Sequence, residues 1–113
     1  MVEIKSGDTK ADRLQIWACR RCAMPIANEA YITSRNFRGE QGKAALCERV
    51  ANTKLGEEYQ RNMTTGRHTI RDLFCESCNQ KIGWKYIHAP DPSQEYKIGR
   101  YIVELELLDR VPN

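Results

Sequence analysis

Four of the five cysteines in this 113-residue chain come as two pairs, Cys19-x-x-Cys22 and Cys75-x-x-Cys78. Two intervening residues suit a tight turn that presents both sulfurs to one ion. Two such turns make the tetrahedral four-thiolate set that structural zinc prefers. Four thiolates also close the coordination sphere, leaving no place for a metal-bound water, so the expected role is structural rather than hydrolytic. The expected metal is one Zn2+ per chain on Cys19, Cys22, Cys75 and Cys78. The pairs are 52 residues apart, much farther than in an isolated zinc finger, so the ion would pin two distant turns of one domain. A redox disulfide is the competing use of such a pair, but that motif usually occurs once, at a helix start in a β-α-β unit. Cys47 is left over. It reads as a small buried hydrophobe, with a fifth ligand or a reactive thiol as the alternatives.

These turns need a scaffold, and the composition allows one modest domain. Hydrophobic residues make up 41% and charged residues 29% of the chain, which suits a folded core rather than disorder. No apolar run approaches the roughly 20 residues of a membrane helix. The polar N-terminus lacks a signal-peptide core, and an odd cysteine count without such a signal argues against a disulfide framework. Net charge is +3. Four thiolates on a divalent ion would bring the folded form close to neutrality, which is weak support for nucleic-acid binding.

The pattern is mainly β. Residues 14–19, 30–37, 64–75 and 83–89 read as strands. The stretch 100–108, "RYIVELELL", reads as the best strand, with Tyr101, Val103, Leu105 and Leu107 on one face and Glu104 and Glu106 on the other. Residues 43–52 are ambiguous between helix and strand, and 54–62 read as a polar connection or short helical turn. Asp91 is placed to cap a single helical turn with Pro92 at its first position. The domain is expected over 14–108, with tails at 1–13 and 109–113. Arg20, Arg21, Arg35, Arg38 and Lys43, with Arg61, Arg67 and Arg71, are read as solvated charge, an acidic-partner or phosphate patch being the alternative. There is no phosphate loop, nucleophile elbow or metalloprotease motif.

The glycines and aromatics around the cysteines carry a resemblance. Cys19-x-x-Cys22, Phe37-x-Gly39, Gly42, Thr65-Gly66, Cys75-x-x-Cys78, Gly83-Trp84-x-Tyr86 and Tyr96-Lys97-x-Gly99 together resemble the Yippee and Yippee-like zinc-binding proteins over about residues 14–108. The sequence departs from that pattern at Cys47 and Ile98. The resemblance implies a β-tent fold: two antiparallel sheets roughly at a right angle, stapled by one four-cysteine zinc site, with little helix. The thalidomide-binding domain of cereblon has a related fold. The resemblance also implies a protein of the cytoplasm or nucleus. Some members are associated with the CTLH-type E3 ubiquitin ligase as accessory subunits, which makes protein partners the expectation here.

Trp84 has two readings. It either covers the zinc sulfurs, or walls an aromatic pocket such as the one the cereblon-type domain builds with a Gly-Trp at the matching point. Pocket candidates are Trp84, Tyr86, Phe37, Tyr31 and His68, with Trp17 also aromatic, although His68 fits a surface or hydrogen-bonded histidine as well. The expected function is therefore a non-enzymatic, zinc-stabilised interaction or ligand-binding module. A nucleic-acid-binding zinc domain is the alternative. A methionine sulfoxide reductase-like enzyme is disfavoured because that chemistry needs an oxidisable cysteine, and none follows Cys78.

Overall fold

The computed structural model describes residues 15–111, which form nine strands in two antiparallel sheets joined by 3-10 turns. The expected N-terminal tail, 1–13, lies outside the described residues. The small sheet has the order β2-β1-β9 and the large sheet β3-β4-β8-β7-β6-β5. The strands are β1 (Ile16–Cys19), β2 (Pro25–Asn28), β3 (Ile32–Arg38), β4 (Lys43–Cys47), β5 (Thr53–Met63), β6 (Gly66–Cys75), β7 (Lys81–His88), β8 (Tyr101–Glu104) and β9 (Leu108–Val111).

The large sheet buries both faces, because side chains alternate along a strand. Ala45, Cys47, Leu73, Cys75 and Val103 join Cys19, Ile26, Ala27 and Leu108 of the small sheet in one core beneath the cysteine cluster. Ala44, Leu46, Ile70, Trp84, Tyr86 and Ile102 form a second core on the opposite face, with Phe37 and Met63 against it. This double burial explains the ambiguity of residues 43–52. In β4, four successive residues are buried, so the strand shows no alternation from which its type can be read.

Three expectations are corrected. Residues 54–62 are not a connection; they lie in β5, paired along β6 from Thr53↔Cys75 to Met63↔Gly66. β5 is an edge strand, where a charged, open face is normal, and that polarity disguised it. Residues 100–108 are not one strand. A 3-10 turn at Leu105–Leu107 breaks the run, sending β8 to the large sheet and β9 to the small one. Glu104, expected on the face opposite Tyr101 and Val103, is 2% exposed and accepts a hydrogen bond of 2.7 Å from the Gln41 amide. Gly39 makes room for its carboxylate, since a Cβ there would meet Glu104 Oε1 at 2.4 Å. Finally, residues 109–111 are not a tail: they extend β9, which pairs with β1 through Ala18↔Asp109 and Trp17↔Arg110, and Arg20 Nε lies 3.0 Å from Asp109. β2, which has only four residues and begins at a proline, had no sequence signal of its own.

The predicted turn at Pro92 is present as a 3-10 turn over Pro92–Lys97, with the Asp91 side chain accepting from the Ser93 amide at 3.0 Å. Gly83 is fixed by proximity. A Cβ at that position would lie 1.8 Å from the Ile102 carbonyl oxygen on the neighbouring strand β8. Gly83→Ala should therefore push β7 and β8 apart and cost about 3 kcal/mol or more of stability, read as a lowered denaturation midpoint of the metal-loaded protein.

A four-cysteine metal centre and an aromatic groove

The two cysteine turns are built alike. In the first, the Cys19 amide donates to the Met24 carbonyl at 2.8 Å and the Ala23 amide donates back to the Cys19 carbonyl at 2.7 Å. In the second, the Cys75 amide donates to Gln80 and the Asn79 amide donates to Cys75, both at 2.8 Å. The fifth residue of each turn, Ala23 or Asn79, has φ of 66° or 64°. Asn enters this left-handed region readily, whereas Ala carries a steric cost.

The turns bring all four sulfurs within 4.8 Å of one another. Cys19 and Cys78 are 3.6 Å apart and Cys22 and Cys75 3.5 Å apart. A tetrahedron with zinc–sulfur bonds of about 2.3 Å has edges of about 3.8 Å, so the donor set and its spacing fit one zinc ion. Backbone amides also point at the sulfurs: those of Cys22 and Arg21 at Cys19, and those of Cys78 and Ser77 at Cys75. Such donors favour thiolate over thiol. Without metal, burial pushes Cys19 up to about 11, while the Met24 amide draws Cys22 down to about 7. Cys47 is outside the cluster. It is fully buried in the core beneath the metal and its thiol is pushed up to about 12 by that burial, so it packs as a hydrophobe and lacks the character of a reactive thiolate.

Trp84 does not cover the sulfurs. A β-bulge in the β6–β7 pairing, between Leu73↔Gly83 and Phe74↔Lys81, leaves Ile82 without a partner and reverses the alternation of β7. Ile82 therefore enters the core beneath the metal and Trp84 the opposite one. There Trp84 lines an open groove of about 750 Å³ with Phe37, Arg61, Tyr86, Tyr96 and Lys97. Tyr86 meets Trp84 edge-on, with ring centres 6.2 Å apart, and the Arg61 guanidinium stands 4.9 Å over the indole.

Three candidates from the sequence fall elsewhere. Tyr31 lines a separate apolar hollow of about 310 Å³ with Ile16, Ile26 and Val50. Trp17 lies in the small sheet and donates to Glu29 at 2.9 Å. His68 is fully buried and is not among the residues lining the groove. Its Nδ1 is 3.0 Å from the Gly66 carbonyl, which fixes the proton on Nδ1 and leaves Nε2 as the acceptor facing Lys97, 3.5 Å away. Burial holds its pKa below the ordinary histidine value. The sequence reading missed Lys97 as a site residue; a lysine in a polar turn after two prolines gives no sign of burial.

A two-sheet β fold with a four-thiolate centre defines a class of zinc-stapled domains, and comparison with known proteins places the chain within it. Residues 15–111 match the family model described as "Yippee zinc-binding/DNA-binding /Mis18, centromere assembly". A yippee-like protein of Oryza sativa subsp. japonica is 39% identical over 100 residues, covering 88% of this chain and 84% of that protein. A yippee-like protein of Caenorhabditis elegans is 42% identical over 89 residues, covering 79% of this chain and 65% of the relative. The crystal structure of the Mis18 "Yippee-like" domain superposes with a TM-score of 0.66 at 16% identity, over 87% of this chain and 97% of that one, a likeness of fold. The chain belongs to the Yippee/Mis18 family.

Zinc binding in small zinc peptides supplies roughly 10–16 kcal/mol, as large as the roughly 5–15 kcal/mol of net stability typical of a domain. Chelation under reducing conditions should thus abolish the β-sheet circular dichroism signal, and added zinc should restore it. Because each ligand must lose its proton, zinc displaces protons from Cys19 and Cys75 at neutral pH, and acid favours the metal-free state. Zinc affinity, followed with a competing chromophoric chelator, should fall as pH falls below 7.

Proposed function

We propose that the protein is a non-enzymatic binding module whose zinc site, one ion per chain, is structural, and that it serves as an accessory or adaptor subunit of a CTLH-type ubiquitin ligase in the cytoplasm or nucleus. The carrying observation is the division of labour between the two faces of the large sheet. The four thiolates complete a metal sphere on one side, and the open, aromatic-walled groove lies on the other. Cys47 supplies no nucleophile, being fully buried with its thiol pushed up to about 12, which argues against sulfoxide-reductase chemistry. The ligase assignment rests on the resemblance to Yippee-like proteins that act as accessory subunits.

A nucleic-acid-binding role is the second reading, supported by the words "DNA-binding" in the family description. Against it, four of the seven arginines singled out from the sequence are engaged within the chain. Arg20 pairs with Asp109, Arg35 with Glu29, Arg61 with Glu40, and Arg71 donates to the Gly56 carbonyl. A phosphate-tracking surface needs free cations and shows steep salt dependence.

Affinity purification of the tagged full chain, with mass spectrometry of the eluate, should enrich ubiquitin-ligase subunits, and native mass spectrometry of the purified protein should show one zinc per chain. Repeated absence of ligase subunits would remove the adaptor assignment. Duplex DNA binding that weakens steeply with added salt would favour the second reading.

A further inference from the structure

Lys97 is a buried charge whose counter-charge is missing among the described residues. It is 3% exposed, at the end of the 3-10 turn Pro92–Lys97, and it lines the groove. Its Nζ lies 3.0 Å from Thr65 Oγ1 and 3.5 Å from His68 Nε2. It stands 5.6 Å from the centre of the Phe37 ring and 5.3 Å from that of Tyr86. These partners are neutral. The ion pairs of the described residues include Arg20, Arg35, Arg61, Lys81 and Arg110 but not Lys97. An ammonium has three N–H donors, and Thr65 and His68 take two.

Trp84, 4% exposed, lines the groove with Lys97, its indole N–H shut away from solvent with the Tyr86 hydroxyl as its nearest acceptor. Buried donors are normally satisfied, and burying a charge is costly unless it is paired. The remaining charges of the groove wall are Arg38, Arg61 and Glu40, and Arg61 is bound to Glu40. One deeply buried cation therefore awaits one negative charge, between aromatic walls suited to a flat apolar group.

We propose that this groove binds a carboxylate carried next to a flat apolar group, with Lys97 as its charge partner. The inference rests on the binding-module reading and names the chemistry of its ligand. A carboxylate supplies one negative charge and only acceptors, matching the one ammonium N–H that Thr65 and His68 leave over. A phosphate dianion would bring a second negative charge, and of the two other cations of the wall Arg61 is held by Glu40 and Arg38 is exposed to solvent, so no second buried cation faces it. A peptide chain terminus and a free aromatic acid share this chemistry.

The test uses the zinc-loaded full-length protein and NMR of its two tryptophan indole N–H groups, Trp84 at the groove and Trp17, hydrogen-bonded to Glu29 in the small sheet, as the internal control. The probes are N-acetyl-phenylalanine, its amide, benzoate and phenyl phosphate. N-acetyl-phenylalanine or benzoate should shift the Trp84 signal saturably and leave Trp17 in place. The amide should bind about tenfold or more weakly, the loss expected for a charge-assisted hydrogen bond. Tighter binding of N-acetyl-phenylalanine supports the site with a chain terminus as its ligand, and tighter binding of benzoate supports it with a free acid. Lys97→Met, which keeps the apolar stem, should retain zinc and erase the difference between acid and amide. The proposal is overturned by equal affinity for acid and amide in the unaltered protein, by tighter binding of phenyl phosphate, by no saturable shift with either acid, or by unchanged discrimination in a zinc-containing Lys97→Met protein. Failure to recover ligase subunits would remove the adaptor assignment and leave this groove chemistry standing.

Discussion

Everything in this fold is hung from the convergence of two matched turns that belong to different sheets. Cys19 and Cys22 sit where β1 turns into β2 in the small sheet, and Cys75 and Cys78 where β6 turns into β7 in the large one. The small sheet contributes few buried side chains, among them Cys19, Ile26, Ala27 and Leu108, and a chain this short has little core to spare. Zinc would supply what those side chains cannot, a strong joint between the sheets at one point. The other joints are covalent: 3-10 turns at Glu29–Tyr31, between β2 and β3, and at Leu105–Leu107, between β8 and β9, carry the chain from one sheet to the other. Each turn aims backbone amides at its own sulfurs, so the ligand geometry is carried by main-chain hydrogen bonds and depends little on side chains outside the cluster.

That organisation governs what the sequence could reveal. Four cysteines in two short pairs state their chemistry directly, and with the glycines and aromatics around them they carry the family. Asp91 before Pro92 states a cap in the same local way. Elements whose identity depends on neighbours are harder to read. β4 hides because both its faces are buried, and β5 because its outer side is open to water. The run from Tyr101 to Leu108 alternates like one strand, but Glu104 turns inward into space left by Gly39, and the chain changes sheets three residues later. None of these outcomes has a local signal. They follow from which strands lie beside which.

Trp84 shows how much one inserted residue decides. Two positions apart on an ideal strand, Ile82 and Trp84 would share a face. The bulge at Ile82 separates them, giving one to the core beneath the metal and the other to the groove. The same hairpin thus carries two zinc ligands at its turn and the indole wall of the groove on its second strand. Gly83, between them, leaves room for the Ile102 carbonyl of the neighbouring strand β8, which any Cβ there would strike. The zinc turn and the indole wall of the groove therefore lie on one hairpin but on opposite sides of the sheet.

The charges in the groove complete the argument. Arg61 has a carboxylate in Glu40 and an aromatic face in Trp84, and both lie near the rim where water shares the cost of the charge. Lys97 has aromatic faces, a hydroxyl and a neutral imidazole, all of which accept from an ammonium without neutralising it. His68 can play that part only as the Nδ1-protonated tautomer, which the Gly66 carbonyl enforces. Its own protonation is opposed by burial and by the adjacent lysine charge, and burial also draws the Lys97 pKa below the ordinary lysine value, so the pair holds at most one positive charge. An apolar residue at position 97 would fill the same space between Phe37 and Tyr86 without the penalty of desolvating a cation. The lysine is therefore unexplained by packing, and it is explained by a negative charge arriving from outside the chain.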